Sequence, residues 1–98
     1  MQAIHRALVA EAGRAFVQVF DKKGGKRIAV DVEIFDGDQS LLKAKTKGEE
    51  SDTNDMLAVK LKGGQEYAIS IRGGERRKFK PAGKEDERIE FYLDVEGE

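Results

Sequence analysis

Residues 56–72 have the sequence MLAVKLKGGQEYAISIR, and this stretch decides the fold class. Apolar side chains alternate with polar or small ones on both sides of the pair Gly63-Gly64. A period of two is typical of a β-strand with one face in a core, and a glycine pair between two such runs is a turn signal. The stretch therefore predicts two strands joined by a turn.

The apolar residues of these two strands share one face in a particular register. A three-residue loop over 63–65 places Leu61 opposite Tyr67, whereas a two-residue loop mixes apolar and polar residues across the pair. We therefore predict a β-hairpin with a glycine of the loop in the left-handed conformation. The alternative is that the two strands belong to different sheets and do not pair.

The same alternation recurs in both directions along the chain. Further strands are expected over 14–21, 28–35, 41–47, 75–80 and 89–95. Turn signals at intervals of about 8–12 residues are typical of an all-β sandwich or barrel, so we predict an antiparallel β-sandwich of about seven strands over 14–98. Residues 1–13 form a lead-in that fits a short helix or an edge strand, and 48–55 form a polar loop.

Some positions within the sheets follow from the same pattern. The first strand is apolar on both faces and is expected to be central or covered on both sides, and the lysine-rich third strand is expected at an edge. A four-residue loop between the first two strands places Val19 opposite Ile28. After the Gly73-Gly74 turn, Phe79 is expected opposite Ile69.

The segment VQVFD at 17–21, followed by Gly24 and Ile28, and the segment LKGGQEYAI at 61–69 carry a family resemblance. They resemble the Asp-x-x-Gly turn and the Tyr-bearing strand of the carboxypeptidase regulatory-like domains, which are transthyretin-like (prealbumin) β-sandwiches. The chain departs from that family at Arg27, where proline is usual. The resemblance implies an Ig-like or prealbumin-like sandwich and a non-catalytic accessory module, and it brings no catalytic residues.

Composition limits the possible function classes. The 98 residues are 38% charged with a net charge of -1, which argues against a general binder of polyanions and disfavours nucleic acid as a partner. The chain has no cysteine, so disulfides and thiol chemistry are excluded. No apolar run has the length of a membrane span, and 1–13 lack the pattern of a secretory signal. A cytoplasmic location is expected if Met1 is the true start, and otherwise an excised domain of an exported protein.

The sequence shows no pattern of a catalytic or metal site. His5 is the sole histidine, and the usual zinc sites need three or four His, Cys or carboxylate ligands. The sequence also shows no nucleophile and orienting acid that would form a catalytic triad with it. Asp36 and Asp38 flank Gly37 as in a turn, and the acids of the polar loop lack the spacing of an EF-hand. We therefore predict no enzyme, no metal and no cofactor.

Two surface regions are candidates for binding. Outward-facing apolar residues could form an interface patch, unless the lead-in covers them: Phe16, Phe20, Phe35, Leu41 and Tyr92. A basic segment at 72–84 could bind anions, chiefly through Arg76, Arg77, Lys78 and Lys80. Alternatively, this basic strand pairs across a sheet with the acidic strand of 85–98.

The function predicted from the sequence is that of a non-enzymatic β-sandwich module. Its partner is expected to be another protein or domain, the chain itself included, with no insertion into a membrane. The alternative is a ligand-binding module, for anions or nucleic acid through 72–84, or for carbohydrate.

Overall fold

The described part of the chain consists of seven strands and no helix. The computed structural model describes residues 12–48 and 57–94. The strands are β1 (Ala12–Asp21), β2 (Asp31–Asp36), β3 (Gln39–Lys45), β4 (Leu57–Lys62), β5 (Tyr67–Ile71), β6 (Arg76–Phe79) and β7 (Glu87–Leu93). The prediction of an all-β chain with about seven strands is confirmed for these residues. The lead-in up to residue 11, with His5, and most of the predicted polar loop lie outside the described residues.

The strands form two sheets. One has three strands in the order β4-β1-β7, and the other has four in the order β3-β2-β5-β6. The predicted central position of β1 and edge position of β3 are both confirmed. Buried residues of both sheets form one core cluster: Ala15, Val17, Val19 and Leu61 from the first sheet, and Val32, Ile34, Tyr67, Ile69 and Ile71 from the second.

One pair of strands contradicts the prediction of a fully antiparallel fold. β1 and β7 run parallel, with Ala15 beside Glu87 and Asp21 beside Leu93. The connection that precedes β7 lies at the end of the sheet where β1 begins, since the backbone N–H of Arg14 donates to the Glu85 carboxylate at 2.7 Å. A strand that enters beside the start of β1 has to run in the same direction as β1.

The hairpin predicted around Gly63-Gly64 is wrong, and the alternative of two different sheets is correct. β4 pairs with β1, whereas β5 pairs with β2 and β6. Leu61 and Tyr67 still face the same core, at 1% and 5% exposure, from opposite sides. Across the corner, the Lys62 N–H donates to the Tyr67 hydroxyl at 2.9 Å. The alternation of residues therefore fixed which face is buried without fixing the partner strand.

The run predicted as one strand over 28–35 is divided between the sheets. Its start pairs with β1 as predicted, because the Ile28 N–H donates to the Val19 carbonyl at 2.9 Å. From Asp31 the chain belongs to the other sheet as β2. The side-chain alternation continues through the crossing, so the sequence pattern contains no sign of it.

Thr46 holds the crossing in place. Its hydroxyl accepts a hydrogen bond from the Val30 N–H at 3.0 Å and lies 3.0 Å from the Ile28 carbonyl, to which it donates. The Thr46 N–H also donates to the Val30 carbonyl at 2.8 Å. Thr46 is only 1% exposed, so water does not replace these bonds.

The register of β6 differs from the prediction by two residues. Phe79 lies opposite Tyr67, and Arg77 lies opposite Ile69. The preceding turn is tight because Arg72 and Gly73 both have positive φ, at 56° and 73°, and the Gly74 N–H donates to the Ile71 carbonyl at 3.0 Å. Such a turn uses fewer residues than the predicted pairing required.

The connection over 80–86 is packed tightly against the three-stranded sheet. The Gly64 N–H donates to the Pro81 carbonyl at 2.9 Å, and the Glu87 carboxylate accepts from the N–H groups of Ala82 and Gly83. A Cβ atom on Gly63 would collide with the Ala82 carbonyl. Glycine is therefore required at position 63 by close backbone approach.

We predict that Gly63→Ala lowers the free energy of unfolding by about 1–3 kcal/mol, the usual effect of forcing an extra carbon into a packed site. Gly48→Ala is the matched control, because its new Cβ would have nothing nearer than 3.9 Å and the residue has no positive φ. Urea unfolding of both variants measures the difference. Equal midpoints for the two variants would contradict the packing described for 80–86.

We also predict that Thr46→Val destabilises the fold by about 1–3 kcal/mol, because the Val30 N–H loses its buried acceptor while the side-chain volume hardly changes. Thr46→Ser keeps the hydroxyl, so its free energy of unfolding should fall clearly less than that of Thr46→Val. The measurement is again urea unfolding. If the serine variant were the less stable of the two, the hydroxyl would not be the important group.

Candidate association surface

The five predicted interface residues are divided between the outer faces of the two sheets. Phe16 and Phe20 of β1 and Tyr92 of β7 belong to the three-stranded sheet, whereas Phe35 and Leu41 belong to the four-stranded sheet. The first three residues are here called the aromatic face. They alternate along their strands with core residues, so they lie on the side of the sheet away from the core.

Phe20 and Tyr92 are direct neighbours across the β1–β7 pair. Their rings stack with centroids 5.5 Å apart and planes 25° apart. Tyr92 is 49% exposed, which makes it a large apolar surface in contact with solvent. Stacked rings on adjacent strands have little conformational freedom left to lose when a partner binds.

Phe16 continues the aromatic face toward the start of β1. The Arg14 guanidinium lies 5.2 Å from the centroid of its ring. Arg14 is itself held by Asp86, whose carboxylate accepts from its Nε at 2.8 Å. The end of the aromatic face is therefore rimmed by a fixed ion pair, the arrangement in which polar groups surround an apolar centre.

Gln18 lies between the two phenylalanines and was not recognised as a candidate from the sequence. It is only 3% exposed although its strand position points away from the core. Its Oε1 has no hydrogen-bond donor among the described residues. A buried unpaired carbonyl is unfavourable by about 1–3 kcal/mol. The available signal was an uncharged polar residue between two aromatic ones on a central strand.

Glu90 orients the exposed ring of Tyr92. The Tyr92 hydroxyl donates to the Glu90 carboxylate at 3.2 Å. This hydrogen bond, together with the negative charge of Glu90, raises the pKa of the Tyr92 hydroxyl above its usual value. A tyrosine hydroxyl is already uncharged at neutral pH, and the raised pKa of Tyr92 extends this uncharged state to more alkaline solution.

We predict that the Tyr92 hydroxyl ionises at lower pH in a Glu90→Ala variant than in the wild type, because the acceptor and the charge that raise its pKa are both removed. An NMR titration of the tyrosine ring carbons measures the change. Glu33→Ala, which removes an acidic residue from the other sheet, is the control and should leave the titration of Tyr92 unchanged. An unaltered Tyr92 midpoint in Glu90→Ala would contradict the interaction.

Phe35 was predicted to be exposed, and this is wrong. It is on the outer face of its sheet but only 7% exposed. The Arg76 guanidinium covers its ring at 3.7 Å from the centroid. The bulge in the β2–β3 pair falls between Ile34 and Phe35, and Leu41 lies in it at 42% exposure. The apolar surface of this sheet is thus smaller than expected.

The basic segment is largely occupied by contacts within the fold. Arg76 covers Phe35, Arg77 donates to the Tyr92 carbonyl at 2.8 Å, and Lys78 lies 3.7 Å from the Glu66 carboxylate. Lys80 is exposed. The side chains of Arg76 and Lys78 alternate in direction with that of Arg77, so the segment does not present one continuous basic surface.

The predicted pairing of the basic strand with the acidic strand is wrong. β6 pairs with β5 and β7 pairs with β1, so the two strands lie at the edges of different sheets. The Arg77 hydrogen bond links those two edges through a backbone carbonyl. A basic segment followed by an acidic one in the sequence could not show whether the two strands pair in one sheet or are joined only by the Arg77 hydrogen bond.

Other features of the described residues offer no clear chemistry. A cleft of about 400 Å³ at the β5–β6 turn is lined by charged groups of both signs, including Arg72, Glu75 and Asp94. Among the residues in 12–48 and 57–94, no cluster of His, Cys, Asp and Glu is arranged to hold a metal ion. The same ranges contain no helix long and apolar enough to cross a membrane.

No protein-family model, curated protein or solved structure matches this chain. The resemblance to the carboxypeptidase regulatory-like domains stays a prediction.

Proposed function

We propose that this protein is a non-enzymatic β-sandwich module that associates with another protein or domain through the aromatic face. The stacked pair of Phe20 and Tyr92 carries this proposal, because the two rings order each other and the Tyr92 ring is 49% exposed while Phe20 is half-buried. Aromatic side chains are enriched in the centres of protein interfaces and supply much of their binding free energy. Phe16 and its arginine rim extend the same surface.

The contacts of the basic segment favour this function over the binding of anions. An anion at Arg76 or Arg77 would have to compete with the Phe35 ring or the Tyr92 carbonyl. Both contacts also keep the guanidinium groups apart, on different sides of β6. The net charge of -1 gives no long-range attraction to compensate for that loss.

The order of the strands differs from that of an Ig domain, so of the two sandwich types that the resemblance implies we propose the prealbumin-like one. In a constant-type Ig domain the first strand shares its sheet with the second, and the third shares its sheet with the last two. Here the first strand lies between the fourth and the seventh, and the second lies between the third and the fifth. Both sheets contribute to one core, as a sandwich requires.

We predict that Tyr92→Ser, combined with Phe16→Ser, removes association with the partner. Leu41→Ser is the matched control, because Leu41 has a similar exposure of 42% but lies on the other sheet. The immobilised wild type and the two variants are compared for proteins retained from the native extract, with circular dichroism confirming that each variant is folded. If proteins retained by the wild type are lost in the variant with Tyr92→Ser and Phe16→Ser but kept in Leu41→Ser, the proposal is supported. An identical set of retained proteins for all three chains contradicts it.

A further inference from the structure

At every second residue of β7 the backbone groups point to the outer edge of the strand, the edge away from β1. Among the described strands β7 has a single neighbour, β1. The Leu93 carbonyl accepts from the Lys22 N–H at 2.9 Å, so Leu93 directs its backbone groups toward β1. Alternate residues of a strand direct these groups to opposite sides. Arg88, Glu90 and Tyr92 therefore direct theirs to the outer edge, where Arg77 already occupies the Tyr92 carbonyl.

The other three edges of the two described sheets carry features that disfavour further pairing. β3 has a bulge and two lysines, and β4 has two lysines. β6 has only four residues, and its first three are basic. Short, bulged or lysine-bearing edges resist the addition of another strand. β7 has seven residues, contains no lysine or proline and keeps one register along β1.

The sequence of β7 is complementary to itself in one antiparallel register. With Ile89 opposite Ile89 of a second copy, Arg88 faces Glu90 of that copy and Glu90 faces its Arg88. A shift in one direction places Glu90 opposite Glu90, and a shift in the other places Arg88 opposite Arg88. Opposite charges directly across a pair are favourable and like charges are unfavourable. Both side chains are exposed and therefore available.

We propose that β7 pairs edge to edge, antiparallel, with β7 of a second copy of this chain, centred on Ile89. This proposal rests on the proposed function, because both take association to be the role of the module. The contact itself is made by the backbone edge of β7 and not by the aromatic face. The bonds at Arg88 and Glu90 join two three-stranded sheets into one. Pairing ends before Tyr92, because its carbonyl is taken by Arg77, and before Asp86, which has a φ of 60° in the turn.

Charge reversal tests the register. Sedimentation velocity is measured over chain concentrations from about 10 μM to about 1 mM, since a short edge contact is expected to be weak. The wild type should dimerise, and Arg88→Glu and Glu90→Arg should each weaken the dimer by about tenfold or more. An equimolar mixture of the two variants should recover a heterodimer of wild-type strength. A wild type that stays monomeric throughout, or a dimer that is indifferent to these changes, overturns the proposal.

A backbone test separates the edge from the side-chain surface. Glu90→Pro removes an N–H that faces the outer edge, where proline is tolerated in a strand, and should abolish the dimer. Glu90→Ala, which keeps the N–H, should retain more of it. Phe16→Ser changes the aromatic face and should leave the dimer intact. A dimer that survives Glu90→Pro overturns edge pairing. If the variant with Tyr92→Ser and Phe16→Ser no longer retains other proteins, that result concerns the proposed function alone.

Discussion

The fold depends on a chain that changes sheets while keeping its apolar side toward one core. The Thr46 hydroxyl fixes the first change of sheet by bonding the Val30 N–H and the Ile28 carbonyl where neither strand ladder serves them. From that point β2 is oriented, β5 pairs beside it and β6 beside β5. The position of Arg76 over Phe35 and the reach of Arg77 to β7 follow from this order.

The sequence predicted the strands well and their partners poorly, for one physical reason. Alternation records which side of a strand is buried, and in a two-layer fold both layers bury their strands against the same core. Leu61 and Tyr67 therefore carry the same signal whether they pair or face each other across the core. The parallel placement of β7 was equally hidden, because it depends on where the 80–86 connection packs and not on the residues of β7 itself.

For the candidate surface too, the sequence predicted the direction of individual side chains but not which strands lie side by side. The three aromatic residues that point outward from β1 and β7, Phe16, Phe20 and Tyr92, were identified from their strand positions, and Tyr92 is exposed as expected. Which residues share a surface depended on sheet membership, so Phe35 was grouped with the wrong partners. Its burial required knowledge of the β6 register, which brings Arg76 over the ring. Gln18 was missed because its unusual burial is a property of the assembled face.

The parallel contact of the first and last strands also determines how the molecule bears tension. β1 begins at one end of the sheet, and β7 finishes at the other, beside Asp21. A pulling force applied at Ala12 and Leu93 is directed along both strands in opposite senses. It loads the hydrogen bonds between them simultaneously, in shear, rather than opening them one after another. The β1–β7 ladder is thus the mechanical clamp of the described fold, and its strength sets the force at which these seven strands come apart.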